Sequence, residues 1–192
     1  MDRKTAHRNR GRQARRNLSE KVRAKASADI CSLTRQHPHF QQCKHIAAYL
    51  PLKHEVDLRP LMQCAIEQHK QVWIPRVLNR HMTFAAYHPG LPMDQSALGT
   101  RQPPHNAHTC NARDIDLVLL PLLAFTRSGT RLGMGGGYYD RVFSFMLQEA
   151  SPTGPLLTGV AFASQETDTL PRDPWDVPLQ YIVTQNGYIT CS

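Results

Sequence analysis

Several things are missing from this chain of 192 residues, and each absence removes a class of protein. No apolar run approaches the roughly 20 residues of a membrane-spanning helix. The basic start has no apolar core of a secretory signal, so neither a membrane nor export is expected. Cys31, Cys43, Cys64, Cys110 and Cys191 are odd in number, scattered and without C-x-x-C spacing. That argues against a disulfide framework or a zinc site and suits a reducing, cytoplasmic compartment. Ten histidines are present, but His37 and His39 flank a proline and the rest are dispersed. They read as solvated or packed side chains, not as metal ligands. There is no internal repeat.

Acidic residues are scarce in one place. Before residue 26, Arg3, Lys4, Arg8, Arg10, Arg12, Arg15, Arg16, Lys21, Arg23 and Lys25 face only Asp2 and Glu20. This arm carries much of the net charge of +8, from 23 basic and 15 acidic residues. Such an arm suits a nucleic acid, an anionic surface or a small polyanion such as ATP, and composition does not separate these. It lacks the interleaved aromatics of a single-strand binder, and we expect no nucleic-acid partner.

Periodicity gives alternating helices and strands. Residues 10–33 contain no proline, and Leu18, Val22, Ala26 and Ile30 recur every fourth position, so a first helix is expected, with Ser19 and Glu20 restarting it after a break. His45 to Leu50 reads as a strand, and Val56 to His69 as an amphipathic helix. Gln71 to Val77 is a strand that Pro75 should end or place near an edge. Thr83 to His88 is another strand, and 91–113 a long surface loop. Leu117 to Phe125 is the strongest buried-strand signal. Tyr139 to Ala150 reads as a helix, Leu156 to Ala163 and Tyr181 to Thr184 as strands. The alternation predicts one α/β domain with a mostly parallel sheet, whose ligand should lie beyond the carboxyl ends of the strands.

The densest chemical signal follows the strongest strand: Arg131-Leu132-Gly133-Met134-Gly135-Gly136-Gly137-Tyr138-Tyr139-Asp140-Arg141. Glycines let a backbone approach a ligand and aim N–H groups at an anion. A strand, a glycine loop and a helix together make a phosphate site. The loop lacks the G-K-[ST] ending of a P-loop and the G-x-G-x-x-G spacing of a dinucleotide fold. Three further groups attract attention. Lys4 and Arg8 share a face if the arm is helical, Glu55 follows a strand, and Asp176 sits in a proline-rich segment. Each also has a plain alternative: a solvated tail, an acid in a first helical turn, a turn residue.

The stretch Leu120-Pro121 to Phe125, followed by Arg131 through Arg141, resembles the signature of the 5-formyltetrahydrofolate cyclo-ligase family. The resemblance extends to Ala48-Tyr49-Leu50 leading into Glu55-Val56-Asp57, to Val72-Trp73-Ile74 before Pro75, and to the tail from Leu170 to Thr184. It implies an open, mostly parallel Rossmann-like sheet with helices on both faces. It also implies conversion of 5-formyltetrahydrofolate to 5,10-methenyltetrahydrofolate with ATP as co-substrate and Mg2+, through a phosphorylated formyl group, in a cytoplasmic monomer.

Carried over by position, Lys4 and Arg8 resemble the N-terminal ATP contact. Arg131, Leu132, Gly133, Met134, Gly135, Gly136, Gly137, Tyr138 and Tyr139 resemble the ATP loop, with Arg131 serving the transferring group as the catalytic residue. Met134 to Tyr138, with Leu50 and Glu55, resemble the folate contacts, and Asp140 and Asp176 the magnesium carboxylates. Three positions depart from the family pattern: Gly136 stands where some members carry lysine, Thr126 where many have aspartate, and Gln102 where a glutamate often precedes proline.

Overall fold

The computed structural model describes residues 3–96, 99–148 and 154–192. Its helices are α1 (Arg3–Asn17), α2 (Glu20–Gln36), α3 (Pro38–Gln42), α4 (Arg59–Glu67) and α5 (Tyr138–Val142). The strands, in chain order, are β1 (His45–Ala47), β2 (Gln71–Leu78), β3 (His81–Ala86), β4 (Asp94–Gln95), β5 (Arg101–Gln102), β6 (Thr109–Cys110), β7 (Leu117–Pro121), β8 (Ala124–Phe125), β9 (Arg131–Leu132), β10 (Leu156–Val160), β11 (Tyr181–Thr184) and β12 (Gly187–Thr190).

Eight of these strands form one sheet in the order β12-β11-β10-β7-β1-β2-β3-β6. The pairs β11–β10, β10–β7, β7–β1 and β1–β2 are parallel, and the pairs toward both edges are antiparallel. The expected mostly parallel α/β sheet is therefore present. From β1 the chain builds outward to β2, β3 and β6, then returns through β7 to build the other half. Strand order reverses between β1 and β7, the crevice in which such sheets take ligands.

Period-two alternation divides the core. Ile46, Val72, Ile74, Leu117 and Leu119 pack on one face with Ile30, Phe40, Leu58 and Met62 of the α2–α4 layer. Ala47, Trp73, Val118, Leu120 and Leu157 pack on the other with Phe84 and Phe143. Leu117 through Leu120 are all essentially inaccessible, as a strand covered on both faces requires.

Several expected boundaries move, for physical reasons. The first helix begins at Arg3, not Arg10, and Ser19 does restart the chain: extended at the N-cap, its hydroxyl accepts the Val22 N–H at 3.3 Å. Val22 itself is half exposed, because a four-residue repeat drifts around a 3.6-residue helix and leaves the buried face. The second predicted helix starts only at Arg59, with Pro60 in its first turn.

Pro75 neither ends β2 nor lies at an edge, since β2 is paired on both sides. Trp73 C=O accepts from Ala48 N–H on the β1 side, and Val77 N–H donates on that side to the side-chain Oε1 of Gln102. The missing N–H of Pro75 falls between them, where β1 has already ended. Nothing is lost from the ladder.

The loop 91–113 holds the β4–β5 hairpin and edge strand β6. Residues 117–125 split into β7 and β8, and β8 turns away to pair with β9. The helix after the glycine loop is only α5, five residues, followed by a 3-10 turn at Ser144–Leu147. Phe143, Phe145 and Met146 all pack toward the sheet, a spacing that one α-helical face does not provide. Ala150, where the helix was expected to end, lies outside the described residues. β10 stops at Val160, and β12, which the sequence pattern does not predict, forms a hairpin with β11 through the two-residue turn Gln185-Asn186. Among the described residues no helix is long and apolar enough to cross a membrane.

Candidate active site

A cavity of about 810 Å³ opens at the carboxyl ends of β1, β2 and β7. Tyr49 and Leu50 after β1, Ile74 and Pro75 of β2, and Pro121 to Leu123 at the end of β7 form its floor. Every residue assigned to the site by resemblance lines it: Lys4, Arg8, Leu50, Glu55, the whole run from Arg131 to Tyr139, Asp140 and Asp176. Those positions come from four separate stretches of the chain, 4–8, 50–55, 131–140 and residue 176.

Helix α1 carries the cations. It lies on β8 and β9, and Lys4, Arg8 and Arg15 fall on one face because spacings of four and seven nearly complete whole turns. Lys4 Nζ bonds Asp173 at 2.6 Å and Asp176 at 2.9 Å. Burial opposes the charge on Lys4, but these two carboxylates outweigh it and raise its pKa. Arg8 donates to the Gly133 carbonyl at 3.2 Å, tying α1 to the glycine loop.

Eleven residues beyond Lys4, about 16 Å along the axis, Arg15 bonds Glu55 at 3.0 Å, with the two side chains only 10% and 6% exposed. The second Glu55 oxygen accepts the Leu52 N–H at 3.0 Å. Glu55 therefore closes a turn and pairs with α1, and it does not begin the helix that starts at Arg59. Beside it, burial and the Glu55 charge raise the pKa of Tyr139, and the same two causes act on Tyr49. Both phenols stay protonated at neutral pH.

The glycine loop has geometric reasons for its composition. Gly135 sits at φ 104°, a conformation side chains resist. A Cβ at Gly136 would meet the Tyr138 ring at 2.6 Å. A lysine at 136 would force that ring aside. The expected long phosphate-binding helix after the loop is absent, since α5 is a single turn.

At the other end of the loop, Arg131 is 7% exposed and bonds Asp140 Oδ1 at 2.6 Å, with a further bond to the Val177 carbonyl. Val177 N–H also donates to Asp140 Oδ1, at 3.2 Å. Asp140 is thus fixed beside the residue that follows Asp176. Asp176 Oδ2 takes Lys4 and the Asp173 N–H. In each of the two acids the second oxygen takes no hydrogen bond among the described residues. No cluster of three metal-ligating side chains occurs among them either.

Reading the sequence missed Arg15, Tyr49, Asp173 and Trp175, all of which but Arg15 line the cavity. Asp173, three before Asp176, had a visible spacing signal, as did Arg15, seven after Arg8. Of the departures, Thr126 lies in the β8–β9 turn, bonded to Ser128, and is not a lining residue. Gln102 does line the cavity, buried, holding the Val77 N–H.

A family model for the 5-formyltetrahydrofolate cyclo-ligase family matches residues 1–185. The 5-formyltetrahydrofolate cyclo-ligase of Haemophilus influenzae is 31% identical, over 88% of this chain and 90% of that one. Among solved structures, the 5,10-methenyltetrahydrofolate synthetase of Aquifex aeolicus aligns with a TM-score of 0.82 and 33% identity, covering 97% of this chain and 92% of that one. The synthetase of Mycoplasma pneumoniae aligns at 0.74 with 28% identity, covering 96% and 99%.

Proposed function

This chain belongs to the 5-formyltetrahydrofolate cyclo-ligase family, and we propose that it closes the 5,10-methenyl ring of tetrahydrofolate at the expense of ATP, with Mg2+. The observation that carries this reading is the convergence of Lys4, Arg8 and Arg131, the buried Glu55, and the carboxylates Asp140 and Asp176 on one cavity.

The chemistry explains the parts. The formyl oxygen is a poor leaving group, so it attacks the γ-phosphorus of ATP and ADP departs. Nitrogen 10 then attacks the activated carbon, loses its proton, and the C–O bond breaks as inorganic phosphate leaves. Such steps need positioning and charge stabilisation more than a protein nucleophile. Lys4 and Arg8, with the N–H groups of residues 133–137, hold the phosphates. Arg131 stabilises charge on the transferring phosphoryl group, held for that task by Asp140 and Val177. Glu55 accepts N–H groups of the pterin, whose ring lies against Leu50.

Asp140 and Asp176 suit magnesium by their chemistry: both are hard oxygen donors, each with one oxygen that takes no hydrogen bond among the described residues. A magnesium ion is commonly held by one or two carboxylates, substrate phosphates and water, and it neutralises phosphate charge. We further place the enzyme in the cytoplasm as a single-domain monomer without a nucleic-acid partner.

The test mixes purified protein with 5-formyltetrahydrofolate, ATP and magnesium and follows the near-ultraviolet absorbance of the methenyl product. Turnover that requires both ATP and metal is expected. Folate or nucleotide binding without turnover would overturn the reading in favour of a silent relative.

A further inference from the structure

Trp175 is the most exposed large apolar side chain among the described residues, at 65%, and it lines the cavity. Met134, next at 62%, lines the same cavity from the glycine loop. An indole has some 150–250 Å² to bury, and the protein's other tryptophan, Trp73, is buried in the core. Loose chain does not explain the exposure of Trp175. Asp173 and Asp176 on either side of it both bond Lys4. Asp176 N–H returns to the Asp173 carbonyl at 3.0 Å, and the next residue, Val177, is bonded to Asp140. The turn is pinned while its ring stays in water.

We propose that Trp175 is the stacking wall for the purine base of the nucleotide. This rests on the nucleotide reading given above and goes beyond it by placing the base. The anchors of Trp175 belong to Lys4, at the phosphate end of α1. Glu55, the acceptor for the pterin, is held by Arg15 about 16 Å further along the helix. A base hangs from its phosphates through a single ribose, so it lies near the cations that hold them. Stacking reads the face of a ring and not its edge, so this wall favours the broader purine surface without telling one purine from another.

The two tryptophans make the test direct, because Trp73 is shielded and an emission change reports Trp175. The unaltered protein, Trp175→Ala and Trp175→Phe are titrated with Mg-ATP, Mg-tripolyphosphate and 5-formyltetrahydrofolate, by calorimetry and by emission corrected for ligand absorbance. Mg-ATP should shift the emission of the unaltered protein, and Trp175→Ala should weaken ATP roughly five- to hundredfold. Tripolyphosphate affinity should not change, and Trp175→Phe should restore most of the ATP affinity. Equal ATP affinity in Trp175→Ala overturns the proposal, as does an equal loss of tripolyphosphate or an emission change with folate alone. If ATP does not bind the unaltered protein at all, the nucleotide reading falls first and the wall falls with it.

Discussion

A Cβ placed on Gly11 would lie 2.1 Å from the carbonyl oxygen of Leu123. Helix α1 therefore rests on bare backbone where the chain leaves β7, and only glycine permits that approach. The cost of a glycine inside a helix, about 1 kcal/mol relative to alanine, is accepted where the contact sets the depth of Lys4, Arg8 and Arg15 in the cavity.

Gly11→Ala should push α1 outward and move all three cations together. We expect kcat/KM to fall by roughly tenfold or more for a stability cost of about 1–3 kcal/mol, measured by the absorbance assay and by urea denaturation. Activity equal to the parent would mean that α1 does not set the site.

Removing one partner of a buried ion pair leaves the other uncompensated, at about 3–5 kcal/mol. Arg15→Ala should therefore destabilise by that order, and Arg15→Met with Glu55→Met should recover much of it. The double variant should still bind folate poorly, and Glu55→Gln should raise KM for folate while leaving that for ATP near its parent value. Unaltered folate affinity would remove Glu55 from the substrate site.

Asp176 and Asp173 both bond Lys4, yet only Asp176 is expected to touch metal. Asp176→Asn should raise the magnesium concentration for half-maximal rate roughly tenfold or more, whereas Asp173→Asn should leave it within about twofold. Equal shifts would assign both acids the same task.

Arg131→Ala should lower kcat by roughly 10²–10³, and Arg131→Lys should restore the fold more fully than the rate. Because Arg131 and Asp140 share a bond at 2.6 Å, combining Arg131→Ala with Asp140→Asn should cost less than the sum of the single losses. Strict additivity in kcat would separate the two residues functionally.

His37 is stacked on Tyr188 with ring centroids 4.0 Å apart. Burial, then the neighbouring His39, holds its pKa below the ordinary 6.5. The fold thus favours the neutral ring, and its contribution is complete above about pH 6.5 and lost as pH falls through the folded value. Melting temperature should drop between pH 7 and pH 5, and His37→Phe should flatten part of that drop. An unchanged pH profile in the variant would exclude this ring as a source.

Much of the fold could be read from one-dimensional pattern. Leu117 to Leu120, apolar on both faces of a strand, announced a central parallel strand, and Ser19 with Glu20 announced the helix restart. Pro75 misled, because its missing N–H falls where β1 has already stopped, a fact that belongs to the neighbouring strand. The helix after the glycine loop misled too, since Phe143, Phe145 and Met146 follow the sheet surface and not a helical stripe.

The sequence by itself determined the chemical inventory: the glycine loop with its flanking arginines, the basic arm, and acids at 55, 140 and 176, placed by a signature whose spacing is specific. Only the tertiary structure decided how those charges are paired. Lys4 with Asp173 and Asp176, and Arg15 with Glu55, are partners that the docking of α1 brings together at the sheet's carboxyl edge, while Arg131 meets Asp140 only because the glycine loop folds back on itself. Local propensity sets helix and strand within a few residues, whereas an ion pair between distant segments depends on the packing of every element between them.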